Sequence, residues 1–184
     1  EGAKAIADAL RVNGSLTSLH IGDNQIGDEG AQAIVSALKE NKACKLKELE
    51  LSSNDIGPDG AKAVAAFCAV SGSLTCCNVL QNEMDEAAAR LLVEAVKDKN
   101  ISLGGIKPDQ TKADFYGQGL SPPDAILLAS DLSKADVSGS LTNLDVGNND
   151  LDDETKTLLQ DAVRDKSGFE LYMVHVMDEE EGEE

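Results

Sequence analysis

Leu46-Lys47-Glu48-Leu49-Glu50-Leu51-Ser52-Ser53-Asn54 decides how this chain folds, because it recurs. The same order of residue types returns as Leu16-Thr17-Ser18-Leu19-His20-Ile21-Gly22-Asp23-Asn24. It returns again as Leu74-Thr75-Cys76-Cys77-Asn78-Val79-Leu80-Gln81-Asn82, and as Leu141-Thr142-Asn143-Leu144-Asp145-Val146-Gly147-Asn148-Asn149. All four copies fit LxxLxLxxN, with Cys77 standing once for Leu. Beyond each asparagine a second motif begins. Gly30 to Leu38 matches Gly60 to Cys68, and looser versions run from Ala88 to Val96, Asp124 to Leu132 and Thr155 to Val163. Self-similarity at a fixed period marks stacked supersecondary units.

Each unit reads as a short strand, a turn and a helix. Alternation along the strand sends Leu19 and Ile21 inward and His20 outward. In the second motif Ile34, Ala37 and Leu38 share one helical face, while Gln32 and Ser36 point elsewhere. The asparagine of each copy sits where the chain bends. Its side chain can hydrogen-bond backbone groups of the neighbouring turn, which would otherwise be buried and unpaired. Asn24, Asn54, Asn82 and Asn149 are thus expected to form a structural ladder. Gly27 and Gly57 suit the turn, and Pro58 suits a helix start. One unit cannot bury its apolar face alone, so neighbours must stack.

This pattern resembles the leucine-rich-repeat family, in its ribonuclease-inhibitor-like class with repeats of roughly 28 residues. The resemblance covers about residues 1 to 172. It implies an α/β solenoid of horseshoe form, with a concave parallel β-sheet and convex α-helices.

Departures from the pattern set the domain boundaries. Glu1 to Leu10 match Glu29 to Leu38, so residues 1–14 read as the C-terminal half of a truncated repeat, and the array either as a piece of a longer one or as one whose N-terminal end is covered by something else. Residues 15–168 carry the repeats. Within them Leu103 and Ile106 look like the start of a strand, and Phe115, Gln118 and Leu120 resume at the places of Ile21, Asn24 and Ile26. The segment 107–113 between them reads as an insertion, either a tolerated one or a partner-contacting loop. Residues 169–177 alternate enough to be a capping strand. Residues 178–184 carry six acids and no base, an acidic tail expected to be disordered.

Composition bounds the partners. The 184 residues include 34 acids and 16 bases, a formal net charge of -18. Without the acidic tail 28 acids still face 16 bases, so the solenoid itself is acidic. Nothing here would neutralise phosphates, which argues against nucleic acid, and an anionic membrane is disfavoured likewise. The natural complement is a protein with a basic surface, whose charge would mainly speed encounter. No apolar run is long enough to span a membrane, and no targeting segment is visible. Cys44, Cys68, Cys76 and Cys77 show no secreted-type spacing, which suggests reduced thiols and a cytoplasmic or nuclear setting. The sequons at Asn13 and Asn100 would matter only in a secreted protein.

The outward strand positions form the candidate partner-binding concave face: His20, Glu48, Glu50, Asn78, Asn143 and Asp145. Lys107, Asp109 and Lys112 are the candidate residues of the inserted loop. The face looks small, mildly acidic and poor in aromatic anchors. His20 beside Glu50 could act in acid–base work, but no nucleophile is paired with it in the sequence. His175 has no evident role. No metal or cofactor is expected. Asn148 to Glu154 is rich in oxygen ligands but lacks the sixth-position glycine of an EF-hand loop, and no phosphate-cradling loop is present.

These features point to a non-enzymatic protein–protein interaction module, a scaffold, an adaptor or a subunit of a larger assembly. Repeats followed by an acidic tail also resemble the Ran GTPase-activating proteins, and the strongly acidic surface fits an inhibitor of a basic enzyme, as the ribonuclease inhibitor is. Sensors of innate immunity end in such repeats too.

Overall fold

The computed structural model describes residues 1–174. Its elements alternate as the repeat requires: α1 (Gly2–Leu10), β1 (Ser18–His20), α2 (Gly27–Glu40), β2 (Glu48–Glu50), α3 (Pro58–Val70), β3 (Cys76–Asn78) and α4 (Glu86–Ala95). Then come β4 (Lys112–Asp114), α5 (Pro122–Leu132), the short α6 (Ala135–Ser138), β5 (Asn143–Asp145), α7 (Asp153–Val163) and β6 (Glu170–Tyr172). Each main helix packs on the next in one layer, and the strands form the other. The chain is an α/β leucine-rich-repeat solenoid.

All strand pairs are parallel and in the register of the repeat: Leu19 lies beside Leu49, and Leu49 beside Cys77. The central residue of each strand from β2 to β5 is buried, with its flanking residues less so. Leucines and valines of the strands meet the alanine-rich faces of the helices, as Leu49, Leu51, Ala61 and Val64 do in the core. Small residues on the helix let it approach the strands closely, and each unit completes its core only against its neighbours.

The asparagines satisfy the inner turns. Asn82 Nδ2 donates to the carbonyls of Leu51, Val79 and Leu80 at 3.0, 2.9 and 3.2 Å, while its Oδ1 accepts the amides of Asn54 and Ile56, both at 3.0 Å. Asn149 repeats the arrangement with Phe115, Val146 and Gly147, and its Oδ1 takes the Leu120 amide. Asn54 Nδ2 reaches Ile21, Leu51 and Ser52, but its buried Oδ1 has no partner. The Asn24 side chain donates only within its own turn, to the Ile21 and Gly22 carbonyls. Gly27 takes a left-handed φ of +58° as α2 begins, which explains why the turn needs glycine there. Helix starts are capped by carboxylates: Asp85 accepts the Ala88 amide, Asp152 accepts that of Thr155, and Asp28 accepts those of Gly57 and Gly60 from the preceding repeat.

The sheet is not continuous. It divides into β1-β2-β3 and β4-β5-β6. After α4 the chain adds a fourth rung to the first sheet, where Ser102 bridges Cys76 and the Cys77 and Val79 amides bond the Ser102 and Leu103 carbonyls at 2.8 and 3.1 Å. The rung stops at Gly104 and Gly105. The chain then leaves the sheet and returns as β4. Lys112 and Ala113, placed by the sequence pattern in the insertion, belong instead to β4, where they pair with Asn143 and Leu144. The excursion therefore covers residues 104–111. One helix, α5, serves both the fourth rung and β4.

Asp131 closes the break. This buried carboxylate of α5 accepts the Ser102 hydroxyl at 2.7 Å and the amides of Leu103 and Gly104, each at 2.8 Å. It takes the place of the next parallel strand for those donors. Leu128 of the same helix packs against Gly104 so closely that a Cβ there would lie 2.5 Å from its Cδ2. Helix α5 is thereby drawn into the gap, and every residue from Asp124 to Leu132 is buried.

At the far end β6 pairs with β5 and lies within the expected capping segment 169–177. His175 and the acidic tail fall outside the described residues. No helix among the described residues is long and apolar enough to cross a membrane.

Candidate functional site

Outward strand residues line up in columns across the concave face. Ser18, Glu48 and Cys76 form one, and His20, Glu50 and Asn78 the next. On the second sheet the corresponding columns are Lys112, Asn143 and Glu170, then Asp114, Asp145 and Tyr172.

The acids and amides of the central column have a structural duty. Each accepts the backbone amide two residues on, where the strand ends: Glu50 from Ser52 at 2.9 Å, Asn78 from Leu80 at 3.2 Å, Asp114 from Tyr116 at 3.0 Å and Asp145 from Gly147 at 2.8 Å. A carboxylate or amide is therefore favoured in this column before any partner is considered. The second carboxylate oxygen remains free for other contacts, and Glu50 uses it to accept Asn78 Nδ2 at 2.8 Å.

His20, Glu48, Glu50 and Asn78 thus come together on the first sheet. The His20 Nε2 lies 2.7 Å from Ser18 Oγ and 3.8 Å from Glu48 Oε2, so a hydroxyl is paired with the histidine after all. The arrangement is not a catalytic triad. Ser18 donates to Glu48 at 3.3 Å, and Glu48 meets the same ring nitrogen as the serine instead of orienting the opposite one.

Asn143 and Asp145 lie on the second sheet, and the 104–111 excursion separates them from the first group. Asn143 Nδ2 donates to Glu170 Oε2 at 2.9 Å. Lys107 and Asp109 are exposed on the excursion, which borders a cleft of about 370 Å³ with Cys76 and Glu48 on its floor. Burial pushes the Cys76 thiol up to about 12, with Asp131, Glu50 and Glu48 adding to the effect, so it is a neutral thiol and a poor nucleophile. Burial likewise raises the Asp124 carboxyl, against bonds from Ser121 and the Gln81 amide.

The sequence pattern understated the aromatic content of this face. Tyr116 and Tyr172 are 43% and 50% exposed; Tyr116 and Val174 lie beside Gly147, and Tyr172 lies beside Asp145. Both tyrosines follow from the alternation that puts Phe115 inward and Leu171 at a strand centre. Asp114 and Glu170 follow from it too. The four residues make the second sheet richer in anchors than the first.

Two segments, residues 12–35 and 42–65, match a family model described as "Leucine Rich repeat". The chain is 26% identical over 160 residues to the "NACHT, LRR and PYD domains-containing protein 3" of Bos taurus, covering 86% of this chain and 14% of that protein. It is 27% identical over 163 residues to protein 14 of the same description from Homo sapiens, covering 89% of this chain and 14% of the relative. It is 26% identical over 152 residues to the ribonuclease inhibitor of Sus scrofa, covering 83% of this chain and 31% of the inhibitor. The chain therefore spans well under half the length of these relatives. Among solved structures, the tropomodulin C-terminal domain of Caenorhabditis elegans superposes with a TM-score of 0.53 at 16% identity, covering 89% of this chain and 92% of that one. The repeats are leucine-rich repeats of the ribonuclease-inhibitor-like class.

Proposed function

We propose that this chain is a non-enzymatic protein-binding module that acts as a scaffold or adaptor, or as a subunit of a larger assembly. Its concave face takes a protein partner with a basic surface. The observation that carries this reading is the second sheet, where Tyr116 and Tyr172 stand exposed among Asp114, Asp145 and Glu170. Tyrosines give contact area at low entropic cost, and the free carboxylate oxygens favour lysine or arginine opposite them.

Native affinity capture of the full-length protein from its own cells, followed by cross-linking and mass spectrometry, tests the reading. A stoichiometric partner cross-linked beside β4 to β6 is expected. Recovery of a small GTPase whose hydrolysis the protein accelerates would move the activator reading to first place. Absence of any stoichiometric partner at low salt would overturn the module reading.

The likeness to a ribonuclease inhibitor favours a second reading, in which the acidic concave face caps the active site of a basic enzyme. Inhibition of a basic ribonuclease that weakens with salt is the outcome that would select it.

A further inference from the structure

Asn13-Gly14 is the only Asn-Gly pair in the chain. It lies in the turn between α1 and β1, where the Asn13 side chain is exposed. Its carboxamide is held the opposite way round from those of the ladder. Asn24, Asn54, Asn82 and Asn149 engage carbonyls through Nδ2, and Asn41 likewise gives its Nδ2 to the carbonyls of Leu10 and Asn13. Asn13 instead uses Oδ1, which accepts the Ser15 amide at 3.0 Å, the Leu16 amide at 2.8 Å and the Ser15 hydroxyl at 3.3 Å. To reach amides two and three residues on, the side chain folds back over the Gly14 peptide. The Gly14 amide and Asn13 Nδ2 bond nothing among the described residues. Asn148 also leaves its Nδ2 unbonded among those residues, but Asn149 follows it, and a side chain there hinders approach to the amide nitrogen.

We propose that Asn13 is a site of self-modification, where the Gly14 amide nitrogen closes on the Asn13 side chain and converts it to an aspartyl or isoaspartyl residue. The nitrogen loses its proton to water and bonds to Cγ, which places negative charge on Oδ1. The bond from Cγ to Nδ2 then breaks, and Nδ2 takes up a proton and leaves as ammonia. Water opens the resulting five-membered imide. Hydrolysis of the new N–Cγ bond gives aspartate, and hydrolysis of the original peptide bond gives isoaspartate. No oxidant or reductant takes part. Each reacting atom is prepared for this sequence. The nucleophile carries no competing hydrogen bond, glycine places no β-carbon beside it, and the leaving nitrogen is free in solvent. The three donors on Oδ1 stabilise the oxyanion as it forms, as backbone amides do in acyl transfer. The consequence reaches the next repeat. Asn41 Nδ2 ties the Asn13 carbonyl at 2.7 Å, and a Cβ at Gly14 would stand 3.1 Å from the Ala43 Cβ. Isoaspartate adds a methylene to the backbone of this turn, and both products add a negative charge. The contact between the two turns therefore loosens on conversion.

The test ages the full chain in mildly alkaline buffer at physiological temperature and follows its tryptic peptide Val12–Lys39 by mass spectrometry that separates aspartate from isoaspartate. Asn13 is expected to convert while Asn24, in the same peptide, is retained. A synthetic peptide of residues 10–17 provides the unstructured reference. Conversion in the folded chain should be about threefold faster or more, because the fold holds the donors on Oδ1. Ser15→Ala, an exposed change, removes only the hydroxyl donor and should slow the folded chain by about threefold. Asn13→Ser keeps an oxygen for the two amides and has no carboxamide to lose, so it controls for other effects of ageing. Hydrogen exchange at residues 10–16 should quicken on ageing in the parent and not in Asn13→Ser. Slower conversion in the folded chain than in the peptide would overturn the inference, because the three bonds would then lock the carboxamide instead of activating it. Ser15→Ala converting as fast as the parent would overturn it too. So would retention of Asn13 through ageing, or conversion that leaves exchange at residues 10–16 unaltered.

Discussion

The Asp131 carboxylate accepts the Leu103 amide at 2.8 Å, and through this contact a helix finishes a sheet that no strand continues. Removing it strands two backbone donors and a hydroxyl inside the protein. Asp131→Ala should cost roughly 3 kcal/mol in urea unfolding, since unpaired buried groups are each expensive. Burial pushes this carboxyl up to about 6 from its usual 3.8, against the pull of Ser102, Leu103, Gly104 and Lys134. The folded state therefore binds the proton more tightly than the unfolded chain does. The contribution of Asp131 is greatest below pH 3.8 and falls as pH rises through about 6. Measured against Asp131→Asn, the wild-type stability should decline between pH 4 and 7 by up to about 3 kcal/mol. A difference that stayed flat, or grew with pH, would show that the carboxylate's hydrogen bonds outweigh its burial.

Gly104 is held to a single residue type by its neighbour. A Cβ at that position would stand 2.5 Å from Leu128 Cδ2, and Leu128 is fully enclosed, so its methyl has nowhere to swing. Gly104→Ala should destabilise by about 1–3 kcal/mol through overpacking. Leu128→Ala by itself should cost about 2–5 kcal/mol by leaving a cavity. Combined, the two changes should cost less than their sum, because the new methyl occupies part of the space released. Additive losses in a denaturant double-mutant cycle would mean that the backbone at Gly104 has moved away.

Much of this architecture was legible because its signals are local and repeated. Leu46 to Asn54 gave the strand, its inward residues and its turn, and the observed register of Glu48, Leu49 and Glu50 follows from it. The placement of Phe115, Gln118 and Leu120 carried the register across the irregular repeat. What failed there was the other half of the signature. Gln110 and Ala113 stand where Leu16 and Leu19 do in the first copy, so β4 had no leucines to announce it and Lys112 was assigned to a loop. The task of Asp131 was illegible for another reason. It serves amides 27 and 28 residues away, and only the break in the sheet makes those amides needy. The Ser18–His20 contact was hidden by rotamers, which alternation does not specify.

The asparagine ladder should show graded costs. Asn82 satisfies three carbonyls and two amides of adjacent turns, whereas Asn24 bonds two carbonyls of its own exposed turn. Asn82→Ala should lose roughly 3 kcal/mol or more, and Asn24→Ala no more than about 1 kcal/mol. Urea midpoints of the two variants, compared at equal slope, check the ranking. Equal losses would refute the view that the asparagine works by tying one repeat to the next.

Tyr116 and Tyr172 give the concave reading its sharpest handle, because neither tyrosine contributes to the core. At 43% and 50% exposure their removal should change stability by no more than about 0.5 kcal/mol. If they anchor a partner, however, each tyrosine-to-alanine change should weaken its capture about tenfold or more. Asp114→Asn would keep the oxygen that accepts the Tyr116 amide while deleting the charge, so it should slow association with a basic partner and flatten its salt dependence. The informative comparison is thermal melting alongside capture yield from one extract. Intact folding with lost capture places the partner on the second sheet. Intact folding with full capture from both tyrosine variants would remove this face from consideration.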